Sequence, residues 1–388
     1  MEAVKETHFE EYKVPADIVV SAPGRFHLTG DHSSFFLDKT LSMAVNMPVY
    51  LAVSVRNDFN YNFYFHQQND RKKAIRDNLK FKKEDRWANF IKGIISAIGN
   101  CPGLDFTVYS DYNISSGLGI STAIKVSAAL AITTLIGADS SPKAIEEIVK
   151  KADTGFLGTE TKLADLFTAI YSEANTCILT DYKEKSWKTA PFIFPDYSIV
   201  LTDTKVPHVS VWNEQTLFTE NNFLLLAELK CQKKGYWIYE ESAVEINEIL
   251  STVDEDSHHR LEGIIKEHKC VTDAFAGLSD RNFSVFARAV NKSHEVMRDL
   301  YTFSCPETDW LVKRVLEMDT ASTPRNPTAC SRITGKGGGR LIYSIIKTDD
   351  IPQYRKKIAD YERIFGFHPV LHIVEPVGGV KILEISKK

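Results

Sequence analysis

The segment from Asp111 to Ala123, Asp-Tyr-Asn-Ile-Ser-Ser-Gly-Leu-Gly-Ile-Ser-Thr-Ala, constrains this chain most. Leu104 to Tyr109 ahead of it reads as a strand, and the apolar run from Ile124 to about Ile136 behind it reads as a helix. Ser115, Ser116, Gly117 and Gly119 are small enough to bring backbone against a bound group. The helix aims its unpaired amides and the positive end of its dipole back at the loop, which suits an anion such as phosphate. Ser121 and Thr122 add hydroxyls at the mouth. An ordinary glycine-containing turn with Ser and Thr capping a core helix accounts for the same residues, so the loop alone leaves both readings open.

Two further stretches bear on the choice. Ser21-Ala-Pro-Gly-Arg-Phe-His-Leu-Thr-Gly-Asp-His-Ser-Ser-Phe35 lies near the N-terminus, and Ser331-Arg-Ile-Thr-Gly-Lys-Gly-Gly-Gly-Arg-Leu-Ile-Tyr343 near the C-terminus. With the central loop, and in this order, they resemble the three signature motifs of the GHMP kinases, closest to the galactokinase and N-acetylgalactosamine kinase branch. Ala22-Pro-Gly-Arg25 is similar to that branch's opening motif, and the stretch from Ser293 to Asp309 to its segment ahead of the third motif. The resemblance covers nearly the whole chain.

It implies an α/β (α+β) GHMP kinase-like fold of two domains, with mixed sheets backed by helices and a cleft between the domains. Residues 1–190 would carry the phosphate loop and 191–388 the glycine-rich third motif. It also implies ATP and magnesium as the reactants that phosphorylate a hydroxyl, the anomeric one in galactokinases. Asp165 and Arg25 would be catalytic. Ser115, Ser116, Gly117, Gly119, Ser121 and Thr122 would cradle the nucleotide, with Ser121 and Glu160 near the metal. Asp31, His32, Ser34, Gly335, Gly337 and Gly338 would line the substrate. Without the resemblance, Arg25, Asp31 and His32 fit a loop ion pair, and Asp165 in the first turn of a helix fits a dipole-satisfying residue.

The departures from the branch fall at these sites. Ser34 stands where a carboxylate would grip sugar hydroxyls, Gly119 and Ile120 where two serines would stand, and the loop lacks the preceding prolines. Thr161-Lys-Leu163 puts bulk ahead of Asp165, and Arg340 takes a glycine position. Two functional readings follow. The first is a galactokinase-like protein with impaired chemistry, acting as a regulatory or binding protein of the developmental or sex-determination switch type. The second is a working ATP-dependent kinase for galactose, N-acetylgalactosamine or another small hydroxylated metabolite.

Composition sets the outer bounds. At 388 residues and 43% hydrophobic content, two domains with sizeable cores are expected. A net charge of -4 gives no electrostatic signal for nucleic acid, and the resemblance implies a small-molecule ligand or a regulatory protein as partner. The six cysteines show no metal-like spacing, no run spans a bilayer, and the N-terminus has no signal-peptide core. A reduced intracellular protein, in cytoplasm or nucleus, is the expectation.

Overall fold

The computed structural model describes residues 1–111, 117–207, 243–251, 255–335 and 341–386. The expected helix from Phe223 to Leu229 lies outside them, as do Ser115, Ser116, Gly337, Gly338 and Arg340. The fold is mixed α/β, with sheets backed by helices. Its two compact units are discontinuous in sequence. The first comprises Met1–Phe26, Met43–Ile178 and Pro376–Lys388, and the second His27–Ser42 and Leu179–Glu375. This differs from a single division at residue 190. The chain passes between units within the strands Ile18–Thr29, Lys39–Arg56 and Thr176–Asp181 and again between Glu375 and Pro376, and the last strand returns to pair with the first.

In the first unit the strands follow the order β12-β1-β2-β5-β3-β4, where β1 is Ile18–Thr29, β2 Lys39–Arg56, β3 Asn60–Phe65, β4 Asp70–Ile75, β5 Gly103–Tyr109 and β12 Lys381–Ile385. β3 lies parallel to β5, while β2 with β5 and β3 with β4 are antiparallel. Five helices belong here: α1 (Glu2–Tyr12), α2 (Ala88–Ile98), α3 (Ile120–Leu135), α4 (Pro142–Ala152) and α5 (Leu163–Tyr171). Strand residues Val20, Leu51, Phe63 and Phe106 share one core with Ile91, Ile94, Val126, Ile132 and Val149 of the helices. Local chemistry sets the helix ends. Ser141 accepts from the Ala144 amide at 3.3 Å with Pro142 in the first turn, and Gly99 closes α2 at φ 72°.

The second unit holds the antiparallel sheet β11-β8-β10-β9, formed by Val370–Val374, Tyr197–Asp203, Leu341–Lys347 and Cys330–Thr334. Its described helices are α6 (Ala243–Ser251), α7 (Glu255–Ser279), α8 (Phe283–Glu295), α9 (Pro306–Leu316) and α10 (Ile351–Phe365). Leu261, Val312, Val315, Ile333, Ile342 and Tyr354 meet in its core.

Some elements carry little signal in the sequence. β7 (Ser186–Pro191), which pairs with β6 (Thr176–Asp181), lies where Pro191 and Pro195 predict a loop between two strands. Its side chains are mostly exposed, so it carries little apolar alternation. α1 was hidden by its polar sequence, because it docks through few side chains, including Val4 and His8. The His8 imidazole is fully buried, 2.9 Å from both Thr107 Oγ1 and Ser54 Oγ.

Burial pushes the His8 pKa down from 6.5 to about 4, opposed only weakly by Asp17. A histidine whose folded-state pKa lies below its unfolded value contributes stability above pH 6.5 that is lost progressively as the pH falls toward 4. Urea titrations should show about 3 kcal/mol less stability at the acid end of this window. His8→Gln should flatten that slope; an unchanged slope would contradict the assignment.

Candidate active site

The centre of the first unit grows from three backbone constraints. Gly24 is required because a Cβ there would lie 2.7 Å from the Met47 carbonyl oxygen of β2. The next residue, Arg25, donates its backbone amide to Leu118 O at 2.9 Å, which ties β1 to the turn ahead of α3. Gly119 ends that turn at φ 65°, a left-handed geometry that favours glycine. A Cβ on Gly119 would also come within 2.9 Å of Arg25 Cγ, so the glycine makes room for the arginine.

Arg25 runs through that space to a single carboxylate. Its Nε and Nη2 lie 2.7 and 2.6 Å from Asp165 Oδ1, and its Nη1 donates to Gly117 O at 2.8 Å. The residues are 8% and 3% exposed, so the pair is shielded from solvent. Asp165 sits in the first turn of α5. The guanidinium therefore joins three sequence-distant elements: β1, the glycine turn and α5.

α3 begins at Ile120 rather than Ile124, because the backbone break is Gly119 and the β-branched residues after it continue the helix. Ser121 and Thr122 thus belong to its first turn. Thr122 N and Ala123 N donate to Gly119 O, so the amides of Ile120 and Ser121 are the ones that face outward from the helix end. Ser121 is half-buried, whereas Thr122 is buried. Ile120 packs at the edge of the apolar core, and Lys162 is exposed. Glu160 is exposed on the stretch before α5.

ATP and magnesium fit this chemistry. A helix start capped by a glycine, with no side-chain cap hydrogen bond from the described residues, suits a phosphate. Ser121 and Glu160 offer hard oxygen donors, which magnesium favours while keeping most of its shell as water and phosphate oxygen. Among the described residues no group of three or more His, Cys, Asp or Glu side chains is placed to hold a metal ion.

The second unit contains its own buried charge centre. Asp31 Oδ2 lies 2.6 Å from Arg332 Nη1, and Asp31 Oδ1 accepts the Gly335 amide at 2.8 Å. Glu267 lies 3.4 Å from Arg332 Nη2 and accepts from Gly30 N and Ser293 Oγ at 2.7 Å each. Gly30 adopts φ 79°, and a Cβ there would sit 2.5 Å from Lys39 O. Burial opposes ionisation of Asp31, yet Arg332 holds it well below the usual carboxylate range. Burial raises Glu267, which Arg332 offsets only in part at its longer distance. His32 is buried against Tyr301 and Phe303, at 6.1 and 4.5 Å between ring centroids. Ser34 is exposed on the short turn Ser33–Phe36.

Sequence reasoning passed over Arg332 and Glu267, and also the buried pair Lys125 and Asp153. A lone lysine inside the apolar run of α3 was the one available signal for the latter. Arg332 stood within the third motif without being singled out.

Residues 6–55 match the galactokinase galactose-binding signature, and residues 89–173 the GHMP kinases N-terminal domain. The chain is 33% identical to a Treponema pallidum protein provisionally named a galactokinase, over 99% of this chain and 97% of that one. It is 25% identical to Thermotoga maritima galactokinase over 93% and 99% of the two chains. The structure of Lactococcus lactis galactokinase complexed with galactose superposes with a TM-score of 0.87, at 18% identity and covering 98% of this chain and 99% of that one. A mevalonate kinase superposes at 0.61, covering 93% and 99% at 13% identity. The fold is that of the GHMP kinases, and the chain belongs to the galactokinase branch of that superfamily.

Two substitutions test these centres. Gly119→Ala should cost about 1–2 kcal/mol of stability from the left-handed backbone alone, read by urea unfolding. Arg332→Met strands two buried carboxylates and should cost about 3–5 kcal/mol in the same measurement. A near-neutral Arg332→Met would show that the second centre is solvated.

Proposed function

We propose that this protein is a working ATP-dependent kinase that phosphorylates the anomeric hydroxyl of galactose or a related sugar such as N-acetylgalactosamine. The observation that carries this reading is the shielded Arg25–Asp165 pair, fastened to Gly117 O beside the open start of α3. Phosphoryl transfer needs positioning and charge neutralisation more than covalent assistance. The Ile120 and Ser121 amides, with Gly117 and Gly119 giving close backbone approach, would hold the nucleotide phosphates. Magnesium, held by Ser121 and Glu160 with the phosphates, would neutralise charge on the triphosphate. Asp165 would orient the sugar hydroxyl and accept its proton, and Arg25 would fix that carboxylate and offset the charge that develops beside it.

On the sugar side, Asp31, His32, Ser34, Gly335, Gly337 and Gly338 are the proposed residues. Asp31 already accepts from Arg332 and Gly335, so its part would be to shape the backbone that meets the sugar. Relatives of this chain, such as those of Thermotoga maritima and Homo sapiens, carry the name galactokinase, and a galactokinase of the same fold was captured with galactose, which supports a hexose as substrate. No helix among the described residues is long and apolar enough to cross a membrane, and the five described cysteines are unpaired. A cytoplasmic enzyme that meets ATP there fits both.

One observation favours the alternative of an impaired, regulatory protein: Ser34 brings no carboxylate to the turn where the branch has one. The side chains expected to obstruct the site weigh the other way, since Ile120 turns toward the core and Lys162 is exposed. An ADP-release assay with MgATP and a panel of galactose, N-acetylgalactosamine and mevalonate decides between them. Turnover on a hexose is expected, falling about 10²–10⁴-fold in Asp165→Ala and about 10²–10³-fold in Arg25→Ala. Absence of nucleotide binding at millimolar concentration would overturn the kinase reading and leave the regulatory one.

A further inference from the structure

Within the apolar helix α3, between Ile124 and Val126, Lys125 is 7% exposed and its Nζ lies 2.5 Å from Asp153 Oδ1. Asp153 is 1% exposed and opens the wide turn Asp153–Leu157 that follows α4. The carbonyl of Asp153 accepts the Thr159 amide at 2.9 Å, and Gly158 turns the chain at φ 63° toward Glu160 and Asp165. Lys125 is four residues after Ser121, on the same face of α3 and one turn deeper. The ion pair therefore joins the helix that presents the outward amides to the segment that delivers Asp165.

Its energetics argue against a simple stabilising role. Asp153 Oδ2 is buried and accepts no hydrogen bond from the described residues, so the carboxylate leaves part of its acceptor capacity unused among them. Replacing a buried ion pair by apolar side chains of similar volume is often neutral or stabilising. The helix that carries Lys125 is otherwise largely apolar on its buried side, with Val126, Ala128, Ala129 and Ile132 in the core. What an ion pair supplies and apolar contact does not is direction. Packed apolar faces can rotate or slide by fractions of an ångström at little cost, whereas a short charge-assisted hydrogen bond fixes separation and azimuth together.

We infer that Lys125 and Asp153 are positioning residues whose ion pair sets the azimuth of α3, and so the aim of its first-turn amides, relative to the Gly158–Asp165 segment. This rests on the proposed kinase reading for its functional consequence but not for its structural one. The double variant Lys125→Met/Asp153→Leu removes both charges together and strands neither. In the full chain it should melt at or above the wild-type temperature. Amide hydrogen exchange at residues 120–124 and 158–165 should nevertheless accelerate about tenfold, and KM for ATP should rise about tenfold with the sugar KM within about twofold.

A merely structural pair would leave the exchange and both KM values of the folded variant at wild-type levels, and that result would overturn the inference. If the double variant does not fold, Asp153→Asn keeps the shape and one acceptor and is judged on the same exchange readout. Wild-type protein without ATP turnover would defeat the kinase reading alone, because the exchange comparison still decides whether the pair positions α3.

Discussion

The Arg25 guanidinium is the contact on which the candidate site of the first unit depends. It bridges Asp165 and the Gly117 carbonyl, while its own backbone amide holds Leu118, so one residue fixes strand, turn and helix α5 at once. The pattern Ala22-Pro-Gly-Arg25 is explained by this geometry. Gly24 lets β1 approach β2, and Gly119 gives up a side chain so that Arg25 can pass. In a shielded setting such a fixed pair needs little reorganisation when charge develops nearby, which is the main electrostatic contribution available to phosphoryl transfer.

The second unit shows the same economy with a different purpose. Arg332, Asp31, Glu267 and the amides of Gly30 and Gly335 form a buried network in which a glycine at positive φ again admits close backbone approach. Asp31 is held ionised by Arg332 against the cost of burial, while Glu267 is the strained member. Removal of the arginine would thus be felt far more than removal of any surface charge in the chain.

Much of this was legible in the sequence. The strand at Leu104 to Tyr109 and the helix behind the central loop stood out because their apolar runs are long enough to mark both. The three motifs pointed to the right superfamily because they occur together and in that family's order, whereas the central loop alone also fits an ordinary glycine turn. α1 and β7 were not legible, since each docks through a few side chains and carries little apolar pattern. The division of the chain into units was hidden for a different reason. Three of the four crossovers fall inside strands, where no linker composition marks them. Lys125 and Asp153 escaped notice because a buried ion pair 28 residues apart leaves no periodic trace, and only coordinates bring its members together.

The sequence departures at Ile120 and Thr161-Lys-Leu163 also read differently in three dimensions. A branched side chain in place of a hydroxyl looks obstructive in a linear motif, yet Ile120 joins the core and leaves its amide facing outward. The most direct measurement of the central claim is a double-mutant cycle on the single-turnover phosphorylation rate, using Arg25→Ala, Asp165→Ala and the combined variant. If the two residues act as one unit, the combined loss should be no greater than that of the worse single variant. Losses that simply multiply would contradict the account, because they would mean that the arginine and the aspartate contribute independently.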